Sequence, residues 1–234
     1  MQPFHVQLLD LTLMQLTNWR WSWRGTIIIG TLAPLFTTIA FGIFAADSGP
    51  EALGFILTGN MVLSLLFVAV GHVSGHFAYM RAMGRLDYFA TLPIHRSALI
   101  LATVFAFLAL SLPPTLTTLA AGSLILRLPL ALSPWALVVV PLISVSLSGL
   151  GALLGLVGRT PQEVDSLNLL TTLILFGFGP VVIPPDRLPA IIVQLSALSP
   201  ATYAASAIRQ AVLGWPDRLP LALDLAVLSA LTVA

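Results

Sequence analysis

The sequence predicts an all-α protein that crosses a membrane several times, and three observations carry this prediction. The 234 residues are 58% hydrophobic and 8% charged, whereas an average soluble domain has about 25% charged residues. Uncharged runs recur along the chain, and most reach the roughly 20 residues that a helix needs to cross a bilayer. The runs are also too uniformly apolar for the alternating pattern of a barrel strand. The composition therefore excludes a soluble globular protein.

The uncharged runs locate the candidate spans. Because only a helix or a closed barrel satisfies its own backbone hydrogen bonds in lipid, we expect each run to be helical. No internal repeat or polar linker divides the chain, so we predict one membrane domain over residues 1–234. The runs cover residues 26–46, 52–80, 97–126, 128–158, 166–185 and 188–208, and a shorter apolar stretch covers residues 219–234.

The amino-terminal segment, residues 1–25, predicts a helix that lies in the membrane interface. Leu9, Leu13 and Leu16 share one helical face, and Gln7 lies away from it. Three tryptophans then alternate with arginines immediately before the first run, as is typical of a boundary with aromatic anchors and cytoplasmic positive charge. We therefore predict that the amino terminus is cytoplasmic.

The region 184–214 admits two interpretations. A seventh span over residues 188–208 would place Arg209 and Arg218 on the cytoplasmic side with most of the other arginines, so counting charges favours it. Four prolines instead break the region into short pieces, and short broken helices occur at membrane depth only as re-entrant elements packed within protein. We therefore predict six spans, with a re-entrant extracellular region before the last one. The prolines are Pro184, Pro185, Pro189 and Pro200.

Charge and residue usage exclude several function classes. Ten basic and nine acidic residues leave a net charge of +1, which makes nucleic acid an unsuitable partner. The absence of cysteine excludes disulfides and thiolate zinc sites. The absence of lysine excludes an intact P-loop. With no catalytic motif either, we expect no catalytic residue, metal or cofactor site in this chain.

The segment 79–96 interrupts the apolar runs with a short amphipathic piece that we predict to be cytoplasmic. Its sequence is YMRAMGRLDYFATLPIHR. One set of residues is placed to pack towards the bundle, and a second set is available to a soluble partner. From spacing alone, an ordinary charged loop is the simpler interpretation. The first set is Leu86, Phe89, Ala90 and Pro93, and the second is Arg81, Arg85 and Asp87.

This segment resembles the cytoplasmic motif in permease subunits of type-2 ATP-binding-cassette exporters, which include drug-resistance and polysaccharide exporters. The motif runs acidic residue, glycine, small residue, leucine, acidic residue, then proline and a basic residue. The chain differs from it at Arg85 and lacks the first acidic residue. The resemblance implies a helix that docks on the ATPase. The coupling residues would be Arg81, Gly84, Arg85, Leu86, Asp87, Pro93 and Arg96.

A second stretch is similar to the region that follows the fifth span of that family. The order is a glycine- and proline-rich turn, a short helix, serine with proline, a tyrosine, an arginine and a glycine. Gly179, Ser199 and Gly214 take their places in this order. The resemblance implies an extracellular gate. Its residues would be Pro184, Pro189, Pro200, Tyr203 and Arg209.

The resemblance implies a transport function without an ATPase site in this chain. A separate soluble ATPase would bind ATP and Mg²⁺, and a second permease copy or a paralogue would complete the path across the cell membrane. The scarcity of charge within the spans indicates an amphipathic, drug-like or lipid-linked cargo. Two alternatives stay open. The first is a lipid-modifying membrane enzyme that uses His72, His76 and Asp87. The second is a non-catalytic membrane scaffold.

A few polar residues within the apolar runs have both a functional and a packing interpretation. Asn168, Thr171 and Thr172 lie on neighbouring helical positions and either line a translocation path or bond other helices. His72 and His76 suit an interfacial position better than a metal site, because no further ligand lies nearby in the sequence. Asp224 is either a functional group or a surface residue close to Pro220. We expect Ser144, Ser148, Gly151 and Gly155 to form a close-packing seam.

Overall fold

The computed structural model describes residues 3–18, 23–92, 94–177 and 180–233, and these residues form a bundle of helices without a β-strand. The predicted all-α class is confirmed. The first six helices are α1 (Phe4–Asn18), α2 (Trp23–Phe44), α3 (Gly49–Leu65), α4 (Val73–Ala82), α5 (Arg85–Thr91) and α6 (Arg96–Leu126). The others are α7 (Ala136–Val157), α8 (Pro161–Gly177), α9 (Ala190–Ser196), α10 (Pro200–Leu213) and α11 (Leu221–Val233).

Several of these helices have the length and apolar composition of a membrane span. Within the described ranges there are four, or five if α9 and α10, which meet at 89°, count as one bent span. The prediction of a multi-pass membrane protein is thus confirmed. The count of six spans stays a prediction, because α8 has 17 residues and α11 has 13. The four are Arg24–Phe44, Ala46–Ala82, Ser97–Leu126 and Ala136–Val157.

The longest buried element is the 37-residue helix Ala46–Ala82, which runs through the centre of the bundle. It joins a 3₁₀ turn, α3, the π-helical segment Leu66–His72 and α4 without a break. Its middle carries no charged residue, so it can be surrounded by other helices on all sides. In contrast, α2 exposes much of its surface, including Phe36 and Phe44. The central helix therefore supplies the largest share of the core, and α2 lies at the periphery of the bundle.

Small residues on α7 allow it to approach the central helix closely. A Cβ atom on Gly151 would lie 2.7 Å from the carbonyl oxygen of Val70, and one on Gly155 would lie 2.5 Å from that of Ser74. Both distances are too short for any side chain. The predicted packing seam is confirmed at these two glycines, and Ser144 extends it through a 2.8 Å hydrogen bond to Ser111.

Polar side chains tie other helices together within the apolar bundle. Ser64 donates a 2.8 Å hydrogen bond from the central helix to the Gly30 carbonyl oxygen on α2. Thr37 on α2 donates to the side-chain oxygen of Asn60 on the same central helix. Such bonds matter more than apolar burial for helix association in lipid, because hydrocarbon solvates apolar side chains as well as the protein does.

The chain places different segments at the two ends of the bundle. The end of the bundle that contains α5 and the connection 158–160 between α7 and α8 is called the inner end. We call outer end the opposite end, with the turn 45–48, the segment 180–189 and the connection 214–220. The pair formed by α9 and α10 starts and ends at the outer end, because Leu188 lines the same cleft as Phe44 and Trp215 lies against Gly54.

One helix differs from the predicted boundaries, and another has the arrangement of faces that the sequence predicts. The helix in the run 166–185 begins earlier, at Pro161, and its described part ends at Gly177. In α1, Leu9 and Leu13 point away from the protein, whereas Gln7 and Gln15 are buried against α6 and its start. The leucine face is therefore free to enter lipid, as expected of an interfacial helix.

Candidate functional site

The inner end carries a short helix, α5, that follows the central helix through a sharp turn. The turn centres on Gly84, whose φ of +67° lies in the left-handed region that glycine adopts without strain. The central helix ends at Ala82, and the turn redirects the chain so that α5 begins at Arg85. A glycine at this position is therefore a requirement of the backbone.

One face of α5 is anchored in the bundle. Leu86 and Phe89 are half-buried, and they pack against a small core cluster in which Met80 comes from α4 and Leu11 from α1. The prediction that these two residues face the bundle is confirmed. Pro93 lies outside the described residues, and the side chains of Ala90 and Arg96 are not described.

The other face of α5 is exposed and combines charges with aromatic rings. Arg85 and Asp87 are exposed, and among the described residues neither forms an ion pair. Tyr88 is 64% exposed and Tyr79 is 49% exposed, and the Arg85 guanidinium lies 5.8 Å from the centre of the Tyr79 ring. Together with Met83, these residues form what we call the coupling surface: Tyr79, Met83, Arg85, Asp87 and Tyr88. Exposed large side chains gathered in one patch are typical of an interaction site.

Arg81 has a contact that the sequence did not reveal. Its guanidinium donates hydrogen bonds to the carbonyl oxygens of Gly158, at 2.6 Å, and Leu156, at 2.5 Å. These carbonyls end α7 and have no intrahelical partner, and a positive charge is favourable at a helix carboxyl end. Arg81 therefore ties the central helix to the connection between α7 and α8, in addition to any contact with a partner.

The same connection is fixed by a capping box at the start of α8. The backbone N–H of Glu163 donates to the hydroxyl of Thr160 at 3.2 Å, and the Glu163 carboxylate accepts from the backbone N–H of Arg159 at 2.9 Å. The sequence Thr-Pro-Gln-Glu contains this signal, with a proline at the first helical position. The inner end of α8 is thus held close to the residues that Arg81 binds.

The helix α1 is hydrogen-bonded to α6 and to the segment before it. The Gln7 side-chain oxygen accepts a 3.1 Å hydrogen bond from the backbone N–H of His95, which precedes the first turn of α6. Further along, the Gln15 amide donates to the Thr103 hydroxyl at 3.3 Å. Since both glutamines are buried, these bonds hold α1 against α6 and the segment before it.

At the outer end, the residues of the predicted gate lie in α10 or in the segment that leads into α9, and these two helices meet at a sharp bend. Pro189 caps α9, and Pro200 occupies the first turn of α10, where the missing N–H of proline costs no hydrogen bond. The hydroxyl of Tyr203 donates a 2.8 Å hydrogen bond to the Ala197 carbonyl in the bend. Pro184 precedes a 3₁₀ turn at Pro185–Arg187. The 89° bend favours the re-entrant interpretation over a straight span.

Arg209 is the best-connected charged residue of the outer end. Its side chain is 4% exposed, it forms an ion pair with Asp217, and its guanidinium lies 3.5 Å from the centre of the Phe55 ring. A longer hydrogen bond of 3.5 Å reaches the Pro180 carbonyl. A second ion pair, between Arg218 and Asp186, is exposed. Arg209 thus joins α10 to the central helix and to the segments before and after the bent pair.

Asp224 is buried, which contradicts the surface interpretation. Its carboxylate accepts hydrogen bonds from the Ser206 hydroxyl at 2.7 Å and from the Gln210 amide at 3.0 Å, both on α10. Its place one turn from Pro220 suggested exposure, but α11 turns this side of the helix towards α10. The carboxylate therefore holds the last helix against the bent pair.

The predicted path residues are only partly brought together. A cavity of about 460 Å³ opens between α2, the central helix and α8, and Asn168 lines it together with His72, His76, Tyr79 and Asp165. Thr171 and Thr172 do not line this cavity, and Thr172 is buried. Asp87 is not among the lining residues either, so the two histidines of the enzyme alternative line this cavity without it. Among the described residues, no group of three metal-ligating side chains occurs.

A sequence match that covers most of the chain identifies the family. The sequence model of the ABC-2 type transporter family matches residues 7–213, which include most of α1, the coupling surface, the central helix and the bent pair. The chain belongs to the ABC-2 type transporter family. It is accordingly a multi-pass membrane permease of an ABC transporter, a transport protein rather than a catalytic enzyme. Among curated proteins, none matches this sequence significantly.

The match covers the inner end of this ABC-2 type permease and stops within the outer end. All of the coupling surface falls within the matched residues, as does Arg209 of the outer end. The partners Asp217, Arg218 and Asp224 follow the match. Sequence reasoning missed Phe55 and Asp217 as partners of Arg209. Of these two partners, only Asp217 could have been predicted, because it is an acidic residue eight positions after Arg209. The position of Phe55 depends on the tertiary structure.

Proposed function

We propose that this chain is the permease subunit of an exporter that uses ATP hydrolysed by a separate, soluble ABC ATPase. The observation that carries the proposal is α5, whose one face is anchored through Leu86 and Phe89 while the other presents Arg85, Asp87 and Tyr88. A docking element needs this combination of a rigid base and an exposed, chemically specific face. ATP and Mg²⁺ belong to the ATPase, because this chain has no lysine for a P-loop.

The contacts around α5 would distribute a push from the ATPase to several spans. Leu86 and Phe89 pass it to α4 and α1 through the shared core cluster. Arg81 passes it to the ends of α7 and α8 through the two carbonyl oxygens. Gln7 passes it to the start of α6. A displacement of α5 would therefore move the inner ends of the bundle together, as a rigid-body switching mechanism requires.

The outer end would act as the gate in the same cycle. Arg209 connects the bent pair to the central helix through Phe55 and to the connection 214–220 through Asp217. Because the central helix runs from α5 to this gate, one element reaches both ends. We assign the gate role to the residues predicted from the sequence, Pro184, Pro189, Pro200, Tyr203 and Arg209.

A second copy of the chain, or a paralogue, would complete the path. The cavity that contains Asn168 is bounded by α2, the central helix and α8, and α8 also exposes Leu169, Leu170 and Leu173. The lining is mostly uncharged and partly aromatic, with one carboxylate from Asp165, and suits an amphipathic, drug-like or lipid-linked cargo better than a small ion, which would need a cage of charges or carbonyls. We place this transporter in the cell membrane with the inner end in the cytoplasm, as the arginines before α2 favour.

The docking role is tested by reversing one exposed charge. Asp87→Arg should lower the amount of ATPase that co-purifies with the permease by about tenfold or more, because a like-charge contact in an interface costs several kcal/mol. The measurement is quantitative co-purification from membranes in which both proteins are produced. Insertion of the variant should be unchanged, since Asp87 is exposed and unpaired among the described residues.

The matched control is Asp47→Arg. Asp47 is also an exposed aspartate, but it lies in the turn at the outer end. It should leave co-purification unchanged. Equal retention of the ATPase by both variants and the unaltered protein would remove the docking assignment.

A further inference from the structure

A second feature of the outer end is an apolar cleft that the gate contacts do not use. It has a volume of about 340 Å³ and lies between the end of α2, the start of the central helix, the end of α8 and the segment 182–188. Phe41, Phe44, Ile56 and Phe176 form much of its wall. Phe44 is 86% exposed, so the cleft opens sideways at the surface of the bundle rather than into its interior.

Arg187 stands at the rim of this cleft as its single charged lining residue. Within the part of the chain that the structure describes, it forms no ion pair and its side chain makes no hydrogen bond. Its neighbour Asp186 is paired with Arg218, and Asp217 is paired with Arg209. Asp47 lies in the adjacent turn but does not line the cleft. The charge of Arg187 is therefore uncompensated beside an apolar surface.

An unpaired guanidinium at the edge of an apolar cleft is complementary to an amphipathic anion. The planar fork of arginine matches phosphate oxygens, and apolar side chains accept an acyl chain. The cleft opens where a bilayer surrounds the bundle, so phospholipid is the molecule present there at the highest concentration. Its volume is at the low end of the roughly 300–1,000 Å³ of ligand pockets, which suits one chain rather than a whole bilayer lipid.

We propose that this cleft binds one phospholipid of the surrounding leaflet, with an anionic headgroup on Arg187 and an acyl chain along Phe41 and Phe176. The lipid would also contact Pro184 and Leu188, which line the cleft and belong to the segment leading into the bent pair. A bound lipid would thereby fill the space between α2 and the outer gate. The proposal goes beyond the exporter function and requires neither ATP nor an ATPase.

The test uses the full chain alone, reconstituted in phosphatidylcholine with a minor fraction of phosphatidylglycerol. After extraction into mild detergent, native mass spectrometry counts the phosphatidylglycerol retained by each chain. We expect retention above its share of the bilayer, and Arg187→Gln should lower the affinity about fivefold, the effect of one cation near an anionic membrane surface. Arg218→Gln is the control, because Arg218 is exposed at the same end but paired with Asp186.

A second variant tests the acyl-chain part of the site. Gly177 lines the cleft, and a Cβ atom there would meet no other atom within 4 Å, so Gly177→Leu fills the cleft without a clash at the backbone. It should abolish retention of the lipid. Gly149→Leu on α7 is the control, since Gly149 is equally unobstructed and lies outside the cleft.

Several outcomes would overturn the proposal. Equal losses with Arg187→Gln and Arg218→Gln would indicate diffuse surface charge, and full retention by Gly177→Leu would place the acyl chain elsewhere. Retention in proportion to the bilayer would mean that no site exists. A disulfide between two chains through Ser48→Cys, a residue that lines the cleft, would show that a second copy occupies this face. None of these results depends on whether an ATPase docks at α5.

Discussion

At the inner end Arg85 and Asp87 stand exposed and unpaired within the described chain, on a helix whose other face is anchored, whereas at the outer end Arg209 is buried and paired with Asp217. The two ends use the same residue types for different purposes. Exposed charges on a rigid base are available to a partner at little cost in folding energy. A buried ion pair instead fixes the geometry of its own chain, because neither charge can be left alone in an apolar environment.

The largest effect that tests this difference between the two ends is expected at the outer end. Arg209→Met should lower the free energy of unfolding by about 2–3 kcal/mol, because it removes the contact with Phe55 and leaves Asp217, whose side chain is only 12% exposed, without its ion-pair partner. Chemical denaturation in detergent micelles measures the change. The double variant with Asp217→Leu should recover most of the loss. A single-variant loss below about 1 kcal/mol would mean that the pair is solvated like a surface pair.

An intermediate effect is expected at the inner end for Arg81, whose side chain is hydrogen-bonded within the chain. Arg81→Gln should lower the free energy of unfolding by about 1–2 kcal/mol, since two charge-assisted hydrogen bonds to the Gly158 and Leu156 carbonyls are lost at a partly exposed site. The same denaturation experiment applies. Arg85→Gln is the matched control and should change stability by no more than about 0.5 kcal/mol. Equal changes in the free energy of unfolding would mean that the hydrogen bonds of Arg81 stabilise the protein no more than the exposed Arg85 does.

The smallest effect is expected at the exposed ion pair of the outer end. Arg218→Cys should change the free energy of unfolding by less than about 1 kcal/mol, as for other exposed pairs. Because the chain has no other cysteine, the new thiol also reports topology. A membrane-impermeant maleimide should label it from outside in intact cells. Labelling only after permeabilisation would support seven spans and contradict the re-entrant interpretation.

Only some of the contacts behind these predictions could be predicted from the sequence. The face of α5 could be predicted, because Leu86 and Phe89 are three residues apart and lie on one side of a helix. The packing seam of α7 could be predicted for the same reason, since Gly151 and Gly155 are spaced by four. The role of Arg81 could not, because its acceptors are backbone carbonyls of a helix far along the chain, and any residue type supplies a carbonyl oxygen.

The sequence alone determined that this chain is helical and lies in a membrane, because runs of about 20 uncharged residues have no other stable conformation in hydrocarbon. It also predicted a docking role for the segment 79–96, from a signal that is local. Only the tertiary structure decided which charges are buried, that Arg209 lies on Phe55, that Asp224 faces α10 and that Arg187 borders an open cleft. The physical reason is that ion pairing and burial depend on which helices become neighbours, and uniformly apolar helices carry little information about their partners.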